Sequence, residues 1–197
     1  VIRFNSGKQL INDNMKLRIL TIGRLNWIKG YEYALNAMKI LKDQGIAFHY
    51  TIIGEGEDWE RLHFARYQLG LEQEVFFSGK ISHDQINDFM QTHDVYLQPS
   101  VQEGFCNAVL EAQAAGMLCI VTNAEGLAEN VIDGKTGWVV PWRNPSAIAE
   151  KLKELQQMPK ENLKTIRDSA ISRVNQDFRV EQQVEQFIEF YHSPEQN

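Results

Sequence analysis

The chain has 197 residues, room for one domain of ordinary size and not for two. With 43% hydrophobic and 23% charged residues its composition is that of a folded globular protein, which excludes disordered, collagen-like and small disulfide-scaffold classes. Twenty Lys and Arg against 26 Asp and Glu leave a net charge of −6, so no global basic field awaits nucleic acid or an anionic membrane and any phosphate recognition has to be local.

The two cysteines, Cys106 and Cys119, give neither a disulfide framework nor a metal-ligand spacing. The start, Val1-Ile2-Arg3-Phe4-Asn5, lacks a basic flank and apolar core, and the most apolar stretch, 114–121, is far shorter than the roughly 18 residues of a membrane span. A cytoplasmic protein is expected. The missing initiator Met points to a piece cut from a longer chain, although processing leaves the same trace.

In chain order, 1–15 reads as linker. Leu17-Arg18-Ile19-Leu20-Thr21-Ile22 is an apolar strand ending at Gly23, and 31–42 carries Tyr31, Ala34, Leu35, Met38 and Leu41 at helical spacing. The unit repeats: a strand at 48–53 ends at Gly54-Glu55-Gly56, and Trp59, Leu62, His63, Arg66 and Leu69 mark a helix that Gly70 stops. A third strand covers 75–79, Ser82 caps a helix running to His93, and a fourth strand at 95–98 meets Pro99. A helix over 107–115, a strand at 118–122, a turn-rich segment and a strand at 137–140 follow. From Pro145 the chain is helical over 145–158, 161–176 and 180–191. Mostly continuous apolar strands between helices predict an α/β domain of Rossmann-like, doubly wound type: six mostly parallel strands with helices on both faces. Such sheets bind ligands outside the carboxyl ends of their strands, which singles out the loops 23–30, 54–58, 79–83, 98–106 and 122–127.

Several motifs fail there. Gly54-Glu55-Gly56 lacks the third glycine of a dinucleotide loop, since Trp59 stands in its place, and Gly134-Lys135-Thr136 lacks the upstream glycine of a Walker loop, Glu129 occupying it. His49, His63, His83, His93 and His192 have no zinc-ligand spacing, so no metal is expected. Two loops carry more. In 23–30, Arg24 offers a fork for two oxygens and Lys29 a mobile point charge, a pair suited to a pyrophosphate; the alternative is that both decorate a loop. In 103–112, Glu103 and Glu111 lie eight positions apart across a helix start whose free N–H groups can hold an anion while the carboxylates accept hydroxyls; the alternative is a pair of ordinary first-turn helix acids.

Gly23-Arg24-Leu25 with Lys29-Gly30, Gly54-Glu55-Gly56, Phe77-Ser78-Gly79, Pro99-Ser100 before Glu103-Gly104-Phe105 with Glu111-Ala112, and Asp133-Gly134-Lys135-Thr136-Gly137, in this order, closely resemble the carboxyl-terminal domain of the retaining GT-B glycosyltransferases of family 4, over residues 16 to 191. The resemblance implies a domain at 16–178 that binds a nucleotide sugar and makes up one half of a GT-B enzyme, transferring a hexosyl unit to a glycan or lipid-linked acceptor. It assigns Gly23, Arg24 and Lys29 to the diphosphate, Glu111 to the ribose hydroxyls and Glu103 to the donor sugar, aided by the backbone of Gly104 and Phe105. The amides of Asn107, Ala108 and Val109 meet phosphate, and Lys80-Ile81 meets the nucleobase. Glu103, Arg24 and Lys29 carry the catalytic roles, with no divalent cation and no cofactor. Cys106 stands where the family usually has glycine, which puts close backbone approach to the donor in question.

The resemblance further implies a missing amino-terminal Rossmann-like domain that holds the acceptor site, and a helix in 179–197 that crosses toward it. The piece alone is then expected to bind donor weakly and to turn over little, and the full enzyme to associate peripherally with a membrane. Two other readings stay open: a stand-alone nucleotide-sugar binding or regulatory module, and a GT-B sugar-nucleotide epimerase or phosphorylase.

Overall fold

The computed structural model describes residues 16–178, so the linker expected at 1–15 and the helix and tail expected at 179–197 lie outside the described residues. Six strands, β1 (Leu17–Ile22), β2 (Phe48–Ile53), β3 (Val75–Gly79), β4 (Val95–Gln98), β5 (Leu118–Thr122) and β6 (Trp138–Val140), form one parallel sheet in the order β3-β2-β1-β4-β5-β6. Seven helices connect or follow them: α1 (Tyr31–Asp43), α2 (Trp59–Gln68), α3 (His83–Thr92), α4 (Asn107–Ala114), α5 (Leu127–Asn130), α6 (Pro145–Gln157) and α7 (Lys160–Asp177).

Strand alternation sends the apolar runs to two cores. Leu17 and Ile19 of β1, Val95 and Leu97 of β4, and Leu118 and Ile120 of β5 pack with α1 and α6 on one face. Leu20, Tyr96, Cys119 and Val121 pack with α3, α4 and α5 on the other, which is why these strands read as continuous apolar runs. The edge strand β3 departs from that expectation: only Val75 is fully buried, and Phe76 is 40% exposed.

Two elements escape the sequence pattern. The loop 23–30 contains a 3-10 turn, Trp27–Lys29, and the segment expected to be only turns contains α5. Three or four residues are too few to establish a helical period.

The direction of winding reverses between β1 and β4. Six residue pairs join β1 to β2, but only Ile19↔Val95 and Leu20↔Tyr96 join β1 to β4. Toward the carboxyl ends side chains take over from the ladder: Thr21 Oγ1 donates to the Leu97 carbonyl, and the Tyr96 hydroxyl lies 3.2 Å from the Ile22 carbonyl. A sheet splayed at its switch point leaves a crevice at the strand ends, flanked by the loops 23–30 and 99–106.

Candidate functional site

Close backbone approaches assemble these loops. Gly54 has φ +145°, and a Cβ there would meet the Gly23 carbonyl oxygen at 2.0 Å; one at Gly56 would meet that of Leu25 at 2.2 Å. The Gly54 amide donates to the Gly79 carbonyl at 2.9 Å, so the loops after β1, β2 and β3 lie side by side. Gly30, at φ +66°, rests against the Pro99 carbonyl, where a Cβ would come to 2.1 Å, and the Val101 amide donates to the Ile28 carbonyl at 2.8 Å. The pair Gly54 and Gly56 therefore has a packing role that the failed dinucleotide motif did not reveal.

Across the crevice Lys29 Nζ donates to Glu103 Oε2 at 2.6 Å, with side chains only 18% and 15% exposed. The same oxygen accepts from Ser100 Oγ at 2.9 Å, and Gln98 Nε2 lies 2.8 Å from Ser100 Oγ. The Tyr96 hydroxyl donates to Gln98 Oε1 at 2.9 Å, which completes a chain of buried polar groups along one face of β4 and its continuation. Every donor in that chain points toward Glu103, and this fixes its carboxylate as an acceptor. Among the described residues Glu103 Oε1 has no hydrogen-bond partner, so it remains available to a ligand hydroxyl.

The start of α4 faces the same place. The amide of Asn107 has no acceptor among the described residues, whereas that of Ala108 turns toward the Cys106 thiol and that of Val109 donates to the Cys106 carbonyl at 3.1 Å. Of the three amides expected to meet phosphate, Val109's is thus already engaged, because the first turn of α4 is tightened. The first-turn-acid reading of the two carboxylates also falls: α4 has no acid in its first turn, since Glu103 precedes the helix by four residues and Glu111 is its fifth. Glu111 is half-buried and makes no side-chain hydrogen bond or ion pair among the described residues. Cys106 has φ −103°, an ordinary value for an L residue, and its side chain joins the core beneath α4. Burial pushes its thiol pKa up, so it sits there as a small apolar group and not as a nucleophile.

Other expected residues lie further out. Arg24, 71% exposed, pairs with Glu57 at 3.3 Å and not with Glu103. Gly23 is contacted by Tyr31, whose hydroxyl donates to the Gly23 carbonyl at 2.9 Å and whose pKa burial raises well above its usual value. Lys80 is exposed just beyond β3, Ile81 packs partly against the core, and Gly104 and Phe105 are exposed at the crevice mouth. Sequence reasoning missed Asn130, which looked like a turn residue, and gave Gln98 no role within the loop 98–106; only the fold shows both fully buried there. No group of three or more His, Cys, Asp or Glu among the described residues could hold a metal ion, and no described helix is long and apolar enough to cross a membrane. An open cavity of about 800 Å³ between Lys135 and Arg173 shares no residue with these loops.

A parallel sheet in this order, with its loops meeting at the β1/β4 switch point, is the architecture of one half of a GT-B enzyme. The chain belongs to the family of glycosyl transferases group 1, whose model matches residues 3–172. It is 34% identical over 171 residues to the putative colanic acid biosynthesis glycosyltransferase WcaL of Salmonella typhimurium, an overlap of 83% of this chain and 42% of that protein. It is also 34% identical over 147 residues to the amylovoran biosynthesis glycosyltransferase AmsK of Erwinia amylovora, 72% of this chain and 36% of the other. The chain thus spans about two fifths of the length of these curated relatives. Among solved structures, the C-terminal domain of a group 1 family glycosyl transferase (LpcC) from Francisella tularensis matches with TM-score 0.76 at 24% identity, over 90% of this chain and 95% of that one. Anabaena HepE in complex with UDP and glucose matches with TM-score 0.81 at 23% identity, over 91% of this chain and 49% of that one. Both establish the fold.

Proposed function

We propose that residues 16–178 bind the nucleoside-diphosphate sugar of a retaining hexosyltransferase of polysaccharide biosynthesis, and that the acceptor site lies in a further domain. The observation that carries this reading is the Lys29–Glu103 pair spanning the β1/β4 crevice, with a carboxylate oxygen free beside a cation and the open amide of Asn107. The complex of HepE with UDP and glucose and the naming of WcaL for colanic acid biosynthesis support it.

Departure of a nucleoside diphosphate places negative charge on the β-phosphate as the bond to the sugar breaks. Lys29, whose ammonium already sits at the crevice, and Arg24, which can swing from its exposed partner Glu57, supply positive charge there, and the α4 amides supply fixed donors. That set neutralises the leaving group without a divalent cation. Glu103 accepts a donor-sugar hydroxyl through Oε1, Glu111 accepts the ribose hydroxyls from one turn inside α4, and Lys80-Ile81 meets the base. This domain alone holds donor but turns over little.

The test is transfer by the complete enzyme with radiolabelled donor and analysis of the anomeric configuration of the product. Retention, with kcat/KM about a hundredfold lower in Arg24→Ala, is expected from loss of one charge-assisted contact to the leaving group. Unchanged kcat/KM in Arg24→Ala removes the phosphate role.

A further inference from the structure

Asn130, the last residue of α5, is fully buried and holds Cys106 at two points. Its Oδ1 accepts the Cys106 N–H at 3.1 Å and its Nδ2 donates to the Cys106 carbonyl at 3.2 Å. A single side chain thus pairs with both backbone groups of the residue that ends the 103–106 loop, alongside the Val109 amide on the carbonyl. Asn130 is itself anchored, since its own carbonyl accepts from Gln113 Nε2 at 2.7 Å and from Arg173 Nη1 at 2.8 Å.

Arg173 ties this anchor to the end of α7. Its Nη2 donates to the Glu129 carbonyl at 2.7 Å, and its guanidinium lies 4.9 Å from the ring centre of Phe178, the residue that caps α7. Phe178 in turn packs against Phe105 with ring centres 5.6 Å apart. The loop is therefore gripped at Phe105 from α7 directly and at Cys106 from α7 through Arg173 and Asn130. Gly126, just ahead of α5, lies against the carbonyls of Glu103 and Gly104 and closes the third side.

We infer that Asn130, backed by Arg173 and Phe178, is a positioning residue for the Glu103–Cys106 loop, so that the last turn of α7 and the donor-facing loop keep one fixed relation. This rests on the donor-binding reading above. Asn130 touches no donor in it; it sets where the Glu103 carboxylate and the adjoining Asn107 amide stand. Loss of the clamp strands the buried Cys106 N–H, while the Cys106 carbonyl keeps the Val109 amide, and the loop relieves the stranded donor by shifting toward water. The base-facing segment 80–81 follows β3, three strands away from β4 in the sheet order, and makes none of these contacts.

The experiment is calorimetric titration of the wild-type chain, Asn130→Ala and Arg173→Gln with UDP, GDP and ADP, and of the matching nucleoside for whichever diphosphate binds. Asn130→Ala is expected to weaken the diphosphate about tenfold, on the scale of one lost hydrogen bond to a placed group, and to leave nucleoside affinity within about twofold. Arg173→Gln, altered at the half-buried backing residue, is expected to shift the diphosphate the same way by about threefold. An unchanged diphosphate affinity, or equal weakening of nucleoside and diphosphate, overturns the inference. Should Asn130→Ala fail to fold in a thermal melt, Arg173→Gln decides by the same rule. Wild-type chain that binds none of the three diphosphates overturns the donor reading and this inference with it, whereas wild-type binding with unaffected variants overturns the inference alone.

Discussion

Lys29 is held by Glu103 inside the crevice, while Arg24 reaches Glu57 at the surface, and this difference separates the effects of removing each cation. Arg24→Ala is predicted to change stability by less than about 0.5 kcal/mol, because an exposed ion pair contributes little. Lys29→Met removes the cation beside a mostly buried carboxylate and is predicted to cost about 1–2 kcal/mol in a urea melt. Both are expected to weaken diphosphate binding, so the pair distinguishes a binding loss that accompanies destabilisation from one that does not. The sequence put both cations on one loop, but spacing carries no information on which way a side chain turns, and the partner Glu57 belongs to the next strand's loop. His49 and His63 make a second test. Burial lowers the pKa of each below the ordinary 6.5, so the folded chain binds fewer protons than the unfolded one; their contribution to stability is intact above about 6.5 and is lost as pH falls. Thermal melts between about pH 7.5 and 5.5 should show a decline that the double variant His49→Asn/His63→Asn flattens. An identical slope in both proteins refutes it.

At the scale of elements, α3 is the best-signalled start in the chain. Ser82 Oγ accepts the Gln85 amide and Gln85 Oε1 accepts the Ser82 amide, so Ser82→Ala should cost about 1 kcal/mol, measured by chemical denaturation. That capping box is readable from Ser82 and Gln85 alone. The strands β1, β2, β4 and β5 were equally legible, because near-complete burial leaves mostly apolar residues between turn signals. The clamp on the 103–106 loop was not: it joins Cys106 to Asn130 and Phe105 to Phe178, and neither pairing follows from any local period. The α4 amides show the same limit, since the helix start was readable near Asn107 but the tightened turn that engages Val109 was not.

The molecule as a whole carries −6, yet its candidate phosphate contacts are Arg24, Lys29 and the first amides of α4, all at one switch point. Local recognition against an unfavourable background predicts that diphosphate affinity falls as salt rises, with Lys29→Met showing a shallower dependence than wild type. The shared length of about two fifths with WcaL and AmsK fits a donor half whose acceptor site lies elsewhere. The most direct test of that donor role is a calorimetric titration of the 197-residue chain with UDP, GDP and ADP, with Glu111→Ala as the paired control. One of the three is expected to bind with one site per chain and to lose about tenfold in affinity in Glu111→Ala, as for a carboxylate that accepts ribose hydroxyls. Absence of binding by all three, or binding that Glu111→Ala leaves untouched, contradicts it.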